Sequence, residues 1–164
     1  SRLLLPKEKS VSRWESQWAF FLPHFLKQDV VEYAFPIEDT FSVFKELIAT
    51  IKAKNIYVDT PIEVRFVKED NYWMSPSYGR NSCYIGTKIH FPYGRRPEYL
   101  EYFTEVDNLL LRYDGRPHWG KQFRITTQDF KKSFPNWDAF WKKADELDPQ
   151  GIFRNDFTKR LLNS

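Results

Sequence analysis

The order in which two kinds of hydrophobic repeat follow each other most constrains how this chain can fold. The two-residue period of a β-strand runs through 29–36, 61–70 and 82–94. The roughly 3.6-residue period of an amphipathic helix runs through 38–55 and 97–113. Two of the strand segments follow each other with no helix between them. This order differs from the repeating strand–helix–strand pattern of a parallel sheet, and it predicts a domain of the α+β class.

The two ends of the chain carry shorter helical patterns. Residues 11–26 predict a helix with an apolar stripe at steps of four, made by Trp14, Trp18 and Leu22. Short helices are also expected after residue 125. We therefore divide the chain into a connecting helical segment, 1–27, and one domain, 28–164.

Composition and motif content exclude several classes of function. The 25 Lys and Arg residues barely outnumber the 22 Asp and Glu residues, too small an excess for a nucleic-acid surface. A single cysteine, Cys83, excludes an internal disulfide framework and indicates an intracellular setting. His24, His90 and His118 lack zinc-site spacing, so no metal is expected. Glycine-rich phosphate loops, hydrolase G-x-S-x-G motifs and membrane-length apolar runs are also missing.

The first candidate site is the pair Glu63 and Arg65 on a predicted strand. Residues two apart on a strand share a face, so both side chains project away from the apolar face of Ile62, Val64 and Phe66. If their own face is buried, the two charges must be paired or bound to a polar group. The alternative is a solvated face with a surface ion pair worth about 0–1 kcal/mol.

A histidine on the following strand segment is the second candidate. By alternation His90 lies on the same side of its strand as Lys88, and it shares the Glu63 and Arg65 face if the two strands pair. The alternative is an inert, hydrogen-bonded histidine at a strand end.

The third candidate is the loop GRPHWGK, residues 115–121, which follows the second long helix. It concentrates Arg116, His118 and Lys121 between two glycines, whose missing side chains allow a ligand to approach the backbone closely. The alternative is a plain connection, with Trp119 in the core and Lys121 on the surface.

Four segments together resemble the C-terminal domain of the sugar-1,4-lactone oxidases: PIEVRFV, SCYIGTKIHFPYG, GRPHWGK and ELDPQGIFRND. The family includes D-arabinono-1,4-lactone oxidase, L-gulonolactone oxidase and L-galactonolactone dehydrogenase. They are FAD enzymes of the vanillyl-alcohol-oxidase superfamily, with alditol oxidases as close relatives. The resemblance covers residues 28 to 162 and implies an antiparallel sheet flanked by helices, which forms the substrate domain.

The resemblance also implies a reaction and its partners. A sugar lactone would be oxidised by hydride transfer to flavin N5, giving an ascorbate-type product. FAD would be held mainly by an N-terminal domain that this chain does not contain, and membrane association would come only from other parts. The location implied is the cytoplasm or an organelle membrane. The alternatives are a non-catalytic binding or scaffold domain derived from such an oxidase, and a fragment of an alditol-oxidase-like enzyme.

Roles for individual residues follow from the same resemblance. Glu63, Arg65 and Lys121 would be catalytic, and Glu63, His90 and Lys121 would contact the substrate. Arg65, His118 and Lys121 would contact the flavin. Lys121 is expected to face Glu63 and Arg65 from a neighbouring strand. Pro92 stands where the alditol oxidases have a threonine, so that contact is not expected here.

Overall fold

The computed structural model of the protein describes residues 27–58, 60–94 and 98–162. The helix predicted at 11–26 lies outside these residues. The elements in chain order are β1 (Gln28–Pro36), α1 (Thr40–Ala53), β2 (Glu63–Val67), β3 (Ser82–His90), α2 (Leu100–Arg112), β4 (Arg116–Pro117), α3 (Thr127–Ser133), α4 (Trp137–Leu147) and α5 (Asp156–Leu162). The strand and helix segments predicted from the two hydrophobic periods are thereby confirmed.

One antiparallel sheet organises the domain, with strand order β2-β3-β1-β4. This arrangement confirms the α+β class and the antiparallel sheet flanked by helices. β2 and β4 lie at opposite edges, and β3 and β1 separate them. Because directly paired residues point to the same side of a sheet, the register of these pairs determines which side chains share a face.

The core lies on the sheet face that the two long helices cover. β1 and β3 contribute alternate apolar residues, and α1 and α2 contribute their apolar stripes. The members fully buried from these elements include Val31, Tyr33, Phe35, Cys83, Ile85, Val43, Phe103, Val106 and Leu110. This packing explains why both helices form where the sequence places their apolar residues at helical spacing.

Gly115 ends α2 because no other residue fits there. Its backbone N–H donates to the carbonyl of Leu110 at 2.8 Å. A Cβ at Gly115 would lie 2.5 Å from that same carbonyl oxygen, closer than real contacts allow. The left-handed residue of the turn is Asp114, with a φ of 53°. The cause of the helix stop is therefore the close approach of the backbone at Gly115 to the last turn of α2.

A second cluster, rich in aromatic side chains, packs α3, α4 and α5 together. Its buried members are Phe130, Phe134, Trp137, Trp141 and Leu161. Trp119 packs against this cluster, with its ring centroid 5.2 Å from that of Phe130 and 6.1 Å from that of Trp137. Phe123 and Ile125 contact both the sheet core and this cluster.

The two-residue period of 61–70 is typical of a half-buried strand, but β2 is not half-buried. All five of its residues are exposed, and its apolar side chains Val64 and Phe66 are 37% and 63% exposed. The strand alternates as predicted, but its position at the sheet edge leaves both faces open. Alternation reveals the orientation of side chains and not whether another layer covers them.

Candidate functional site

A row of three positions crosses the sheet face opposite the two long helices. Gly86 of β3 pairs with Glu32 of β1 on one side and with Glu63 of β2 on the other. A Cβ at Gly86 would lie 3.5 Å from Glu32 Oε2 and 3.6 Å from Glu63 Cβ. Gly86 is buried, and its missing side chain lets the two glutamate side chains approach each other over β3.

Arg65 ties the two carboxylates together. Its Nη2 donates to Glu32 Oε1 at 2.7 Å, and its Nε lies 3.3 Å from Glu63 Oε1. The guanidinium also lies over the ring of Tyr84, 5.6 Å from the centroid. The predicted projection of Glu63 and Arg65 from one face, as a pair, is confirmed. The stronger partner of Arg65 is nevertheless Glu32.

The two carboxylates differ in their access to solvent. The Glu32 side chain is 6% exposed, whereas those of Glu63 and Arg65 are each 50% exposed. One guanidinium between two carboxylates gives these three side chains together a single net negative formal charge. Glu63, with the longer contact and the more exposed side chain, is the carboxylate that a ligand can reach.

His90 lies on the same face of the sheet as Gly86, because the two residues are four positions apart on β3 and alternate residues of a strand share a face. Their partners on β1, Gln28 and Glu32, share that face as well. The expected sharing of a face with Glu63 and Arg65 is thereby confirmed. The four residue steps from Gly86 to His90 span about 13 Å along β3. His90 is therefore at the far end of the face and is not adjacent to the Arg65 pair.

The 115–121 loop reaches the opposite edge of the sheet. His118 N donates to Glu32 O at 2.9 Å, so His118 lies across from the row that contains Gly86 and Glu63. Its Nδ1 accepts from Gly120 N at 3.0 Å. In the neutral imidazole the proton therefore sits on Nε2, which makes this nitrogen a donor.

Lys121 does not lie on a strand next to β2, so that part of the prediction is wrong. The loop pairs with β1, and β3 separates β1 from β2. Three strand spacings, about 14 Å, separate its backbone from that of Arg65. Lys121 instead lines an open groove of about 470 Å³ together with Trp119, Phe157 and Arg160.

Two other members of the loop have structural contacts. Arg116 is buried, and its Nη1 donates to Tyr78 O at 2.7 Å, which fastens the 70–79 loop to β4. Burial lowers the pKa of Arg116. The indole nitrogen of Trp119 is buried and has no hydrogen-bond partner among the described residues. Trp119 is also among the residues that line the groove of Lys121.

Glu32 is the residue that the sequence interpretation missed. A signal was present, because a carboxylate in the middle of the strand VVEYAF must be buried or lie on a polar face. The sequence pattern could not show which residue would pair with Glu32. The partner of Glu32 is on β2, which is separated from β1 by a whole strand.

Other features of the described residues bear on what the site can be. No group of three or more His, Cys, Asp or Glu side chains among them could hold a metal ion. None of the described helices is long and apolar enough to cross a membrane. A cleft of about 520 Å³ between the end of α1 and the start of α2 contains none of the predicted site residues.

Comparison with known proteins gives a consistent result. The family model for D-arabinono-1,4-lactone oxidase matches residues 4–161. The L-gulono-1,4-lactone dehydrogenase of Mycobacterium tuberculosis is 37% identical over 132 residues, which are 80% of this chain and 30% of that protein. The L-gulonolactone oxidase of Scyliorhinus torazame is 34% identical over 160 residues, 97% of this chain and 36% of that protein. An alditol oxidase of Streptomyces is 35% identical over 102 residues, 62% of this chain and 24% of that protein.

The chain therefore spans about a third of the length of the curated relatives that it matches.

Proposed function

Since this chain belongs to the D-arabinono-1,4-lactone oxidase family, we propose that it is the substrate domain of a flavin-dependent oxidoreductase that acts on a sugar lactone. The observation that carries the proposal is the arrangement of Glu32, Arg65 and Glu63 beside Gly86, with Glu63 and Arg65 half-exposed. In this proposal residues 28–164 form the substrate domain and residues 1–27 connect it to the rest of the protein.

The chemistry of this arrangement suits a polyhydroxyl ligand. Ionised carboxylates only accept hydrogen bonds, and sugar hydroxyls donate them. Glu63 is exposed enough to exchange part of its contact with Arg65 for a substrate hydroxyl, while Glu32 keeps the guanidinium in place. His90, farther along the same face, is positioned for a contact with the other end of the substrate.

The proposed cofactor is FAD, because proteins of this family are flavoenzymes. When bound, FAD would supply the hydride acceptor. The groove at Lys121 fits the ring end of such a group, since it combines the lysine with the aromatic side chains of Trp119, Phe123 and Phe157. Lys121, His118 and Arg65 would hold the ring. We assign the rest of the cofactor to an N-terminal domain outside this chain.

Each proposed catalytic residue has a physical task. Glu63 orients the lactone through its hydroxyls, so that the reacting carbon is held in one position. Arg65 and Lys121 are cations, and they stabilise negative charge that develops on the reacting oxygen or on the cofactor. Their effect grows when bound substrate excludes water, because Coulomb interactions strengthen as the local dielectric falls.

The test is single-turnover flavin reduction in the full-length enzyme. Arg65→Ala and Lys121→Ala should each slow reduction by about 100-fold or more, because a preorganised charge is lost. Glu63→Ala should mainly raise KM for the lactone. Lys142→Ala, an exposed lysine on α4, is the matched control and should leave both values unchanged.

Near-normal reduction rates in both the Arg65 and Lys121 variants would refute the site. A full-length protein that purifies without a flavin spectrum would instead support a non-catalytic scaffold domain.

A second candidate is an alditol oxidase activity, favoured by the match to the Streptomyces alditol oxidase. Open-chain polyols and lactones both donate hydroxyl hydrogen bonds, so the Glu63 carboxylate accommodates either. The ratio of kcat/KM for aldonolactones to that for alditols in the full-length enzyme decides between the two.

A further inference from the structure

Within the described residues, the edge strand β2 has no paired strand on its outer side and no layer that buries it. It is the last strand of the sheet in the order β2-β3-β1-β4, and all of its residues are exposed. We propose that β2 is the docking edge for an extended strand from the part of the full-length protein outside these 164 residues. This inference does not depend on the reaction that the site performs.

The first argument is an abrupt change in burial between adjacent strands. Val64 pairs with Ile85, and Phe66 pairs with Cys83. Ile85 and Cys83 are completely buried under the helical layer, but Val64 and Phe66, one strand away on the same face, are 37% and 63% exposed. The helical layer therefore ends above β3 and leaves a ledge of apolar surface on β2.

The second argument is the chemistry of a strand edge. An unpaired edge presents free backbone N–H and C=O groups, and soluble proteins usually shorten, charge or interrupt such strands. The centre of β2, Val64-Arg65-Phe66, contains no proline and no glycine. It also carries no charged side chain on the ledge face. An edge of this kind accepts an added strand, which pairs through the main chain and covers the apolar side chains.

The occupant follows from the length of the relatives. They are about three times as long as the part that matches this chain, so a large polypeptide is available to supply a strand. We expect apolar residues on it opposite Val64 and Phe66. Its intervening side chains would lie about 5 Å from Glu63 and Arg65, beside them at the edge of the candidate site. The added strand would thus complete the wall of the candidate site.

Hydrogen–deuterium exchange tests the proposal in the full-length protein and in the 164-residue chain. Amides of residues 63–67 should exchange at least about tenfold more slowly in the full-length protein than in the chain. Amides of β1 should be protected in both. Unprotected β1 amides in the 164-residue chain would show that this chain does not fold alone. In that case, β2 exchange in the full-length protein and in its Phe66→Asp variant tests the proposal.

Phe66→Asp in the full-length protein should restore fast exchange at β2, because it places a charge in the apolar ledge. Leu147→Asp is the matched control, since Leu147 is an exposed apolar residue at the end of α4, and it should leave β2 protected. Equally fast β2 exchange in the wild-type full-length protein and in its Phe66→Asp variant would overturn the proposal. So would concentration-dependent protection of β2 in the chain alone together with a dimer in sedimentation, because the occupant would then be a second copy.

Discussion

Glu32 shows how a single buried carboxylate can determine the geometry of an exposed site. Arg65 is half-exposed, and a guanidinium in contact with water alone would sample many rotamers. Glu32 is almost fully buried and holds Nη2 at 2.7 Å, while the ring of Tyr84 supports the guanidinium from one side. We therefore regard Glu32 as a positioning residue that acts through Arg65.

The change Glu32→Gln in the full-length enzyme tests this role. The amide oxygen still accepts a hydrogen bond, but the loss of charge weakens the hold on Arg65. We expect kcat to fall by about tenfold with little change in KM, because positioning matters most in the transition state. Glu63→Gln should show the opposite pattern, with the larger change in KM. If Glu32→Gln alters KM alone, or alters neither constant, Glu32 does not act through Arg65.

For individual residues, the sequence predicted part of the candidate site. The spacing of Glu63 and Arg65 was sufficient to predict that they share a face, because that follows from the period of a strand. Glu32 could not be assigned to them, since its contact depends on strand order. The same ignorance of strand order explains the wrong expectation for Lys121, which the chain brings to the opposite edge of the sheet.

Among the secondary-structure elements, β1 and α2 are joined by a buried polar contact. Tyr33 Oη donates to Asp107 Oδ1 at 2.7 Å, and the backbone N–H of Arg124 donates to Asp107 Oδ2 at 3.0 Å. Burial raises the pKa of Asp107, and it also raises the pKa of Tyr33, with the neighbouring carboxylate adding to the effect. This contact fixes α2 on the sheet and attaches the segment that leads to α3.

The raised pKa of Asp107 predicts a definite dependence of stability on pH. Since its folded pKa lies above the ordinary value of 3.8, the folded state binds this proton more tightly than the unfolded state does. The contribution of the Asp107 proton to the free energy of unfolding is therefore fully present below pH 3.8. This contribution is lost as the pH rises through the folded pKa of Asp107.

Asp107→Asn removes this contribution and one hydrogen-bond acceptor. It should lower the free energy of unfolding by about 1–3 kcal/mol at neutral pH. The gap between wild type and variant should widen from about pH 7 to about pH 4 in urea titrations, because only the wild type gains from the proton. Asp138→Asn, an exposed carboxylate of α4, should show a much smaller gap throughout. A gap that narrows toward low pH would contradict the assignment.

The elements themselves were largely predictable, but the exposure of β2 was not. β1, β3, α1 and α2 each have a period strong enough to identify them and their inward face. β2 has an equally regular period, but its exposure depends on where the helical layer ends, which no local pattern records. Asp107, on the inward face of α2, similarly needed a partner from β1 before its role could be stated.

The whole described molecule contains two hydrophobic clusters that share few residues. The sheet core includes β1, β3, α1 and α2, while the aromatic cluster joins α3, α4 and α5 around Trp119. Phe123 and Ile125 are the partly buried residues packed against both. The groove at Lys121 lies at this junction, because its lining contains Trp119, Phe123 and Phe157. The junction thus positions the proposed cofactor contact relative to the sheet.

Phe123 should therefore control whether the two clusters unfold together. Its ring lies 4.8 Å from that of Phe130 in the aromatic cluster, while its backbone follows the loop that pairs with β1. Truncation by Phe123→Ala should cost about 3 kcal/mol, the low end for a phenylalanine because the side chain is only partly buried. The same variant should unfold in two transitions at different denaturant concentrations. One is followed by near-ultraviolet circular dichroism of the tryptophans in the aromatic cluster, and the other by far-ultraviolet circular dichroism of the whole chain.

In the wild type the two transitions should coincide. They should also coincide in the control Phe41→Ala, which truncates an exposed ring of α1. Coincident transitions in Phe123→Ala would mean that the clusters are coupled by contacts other than this ring.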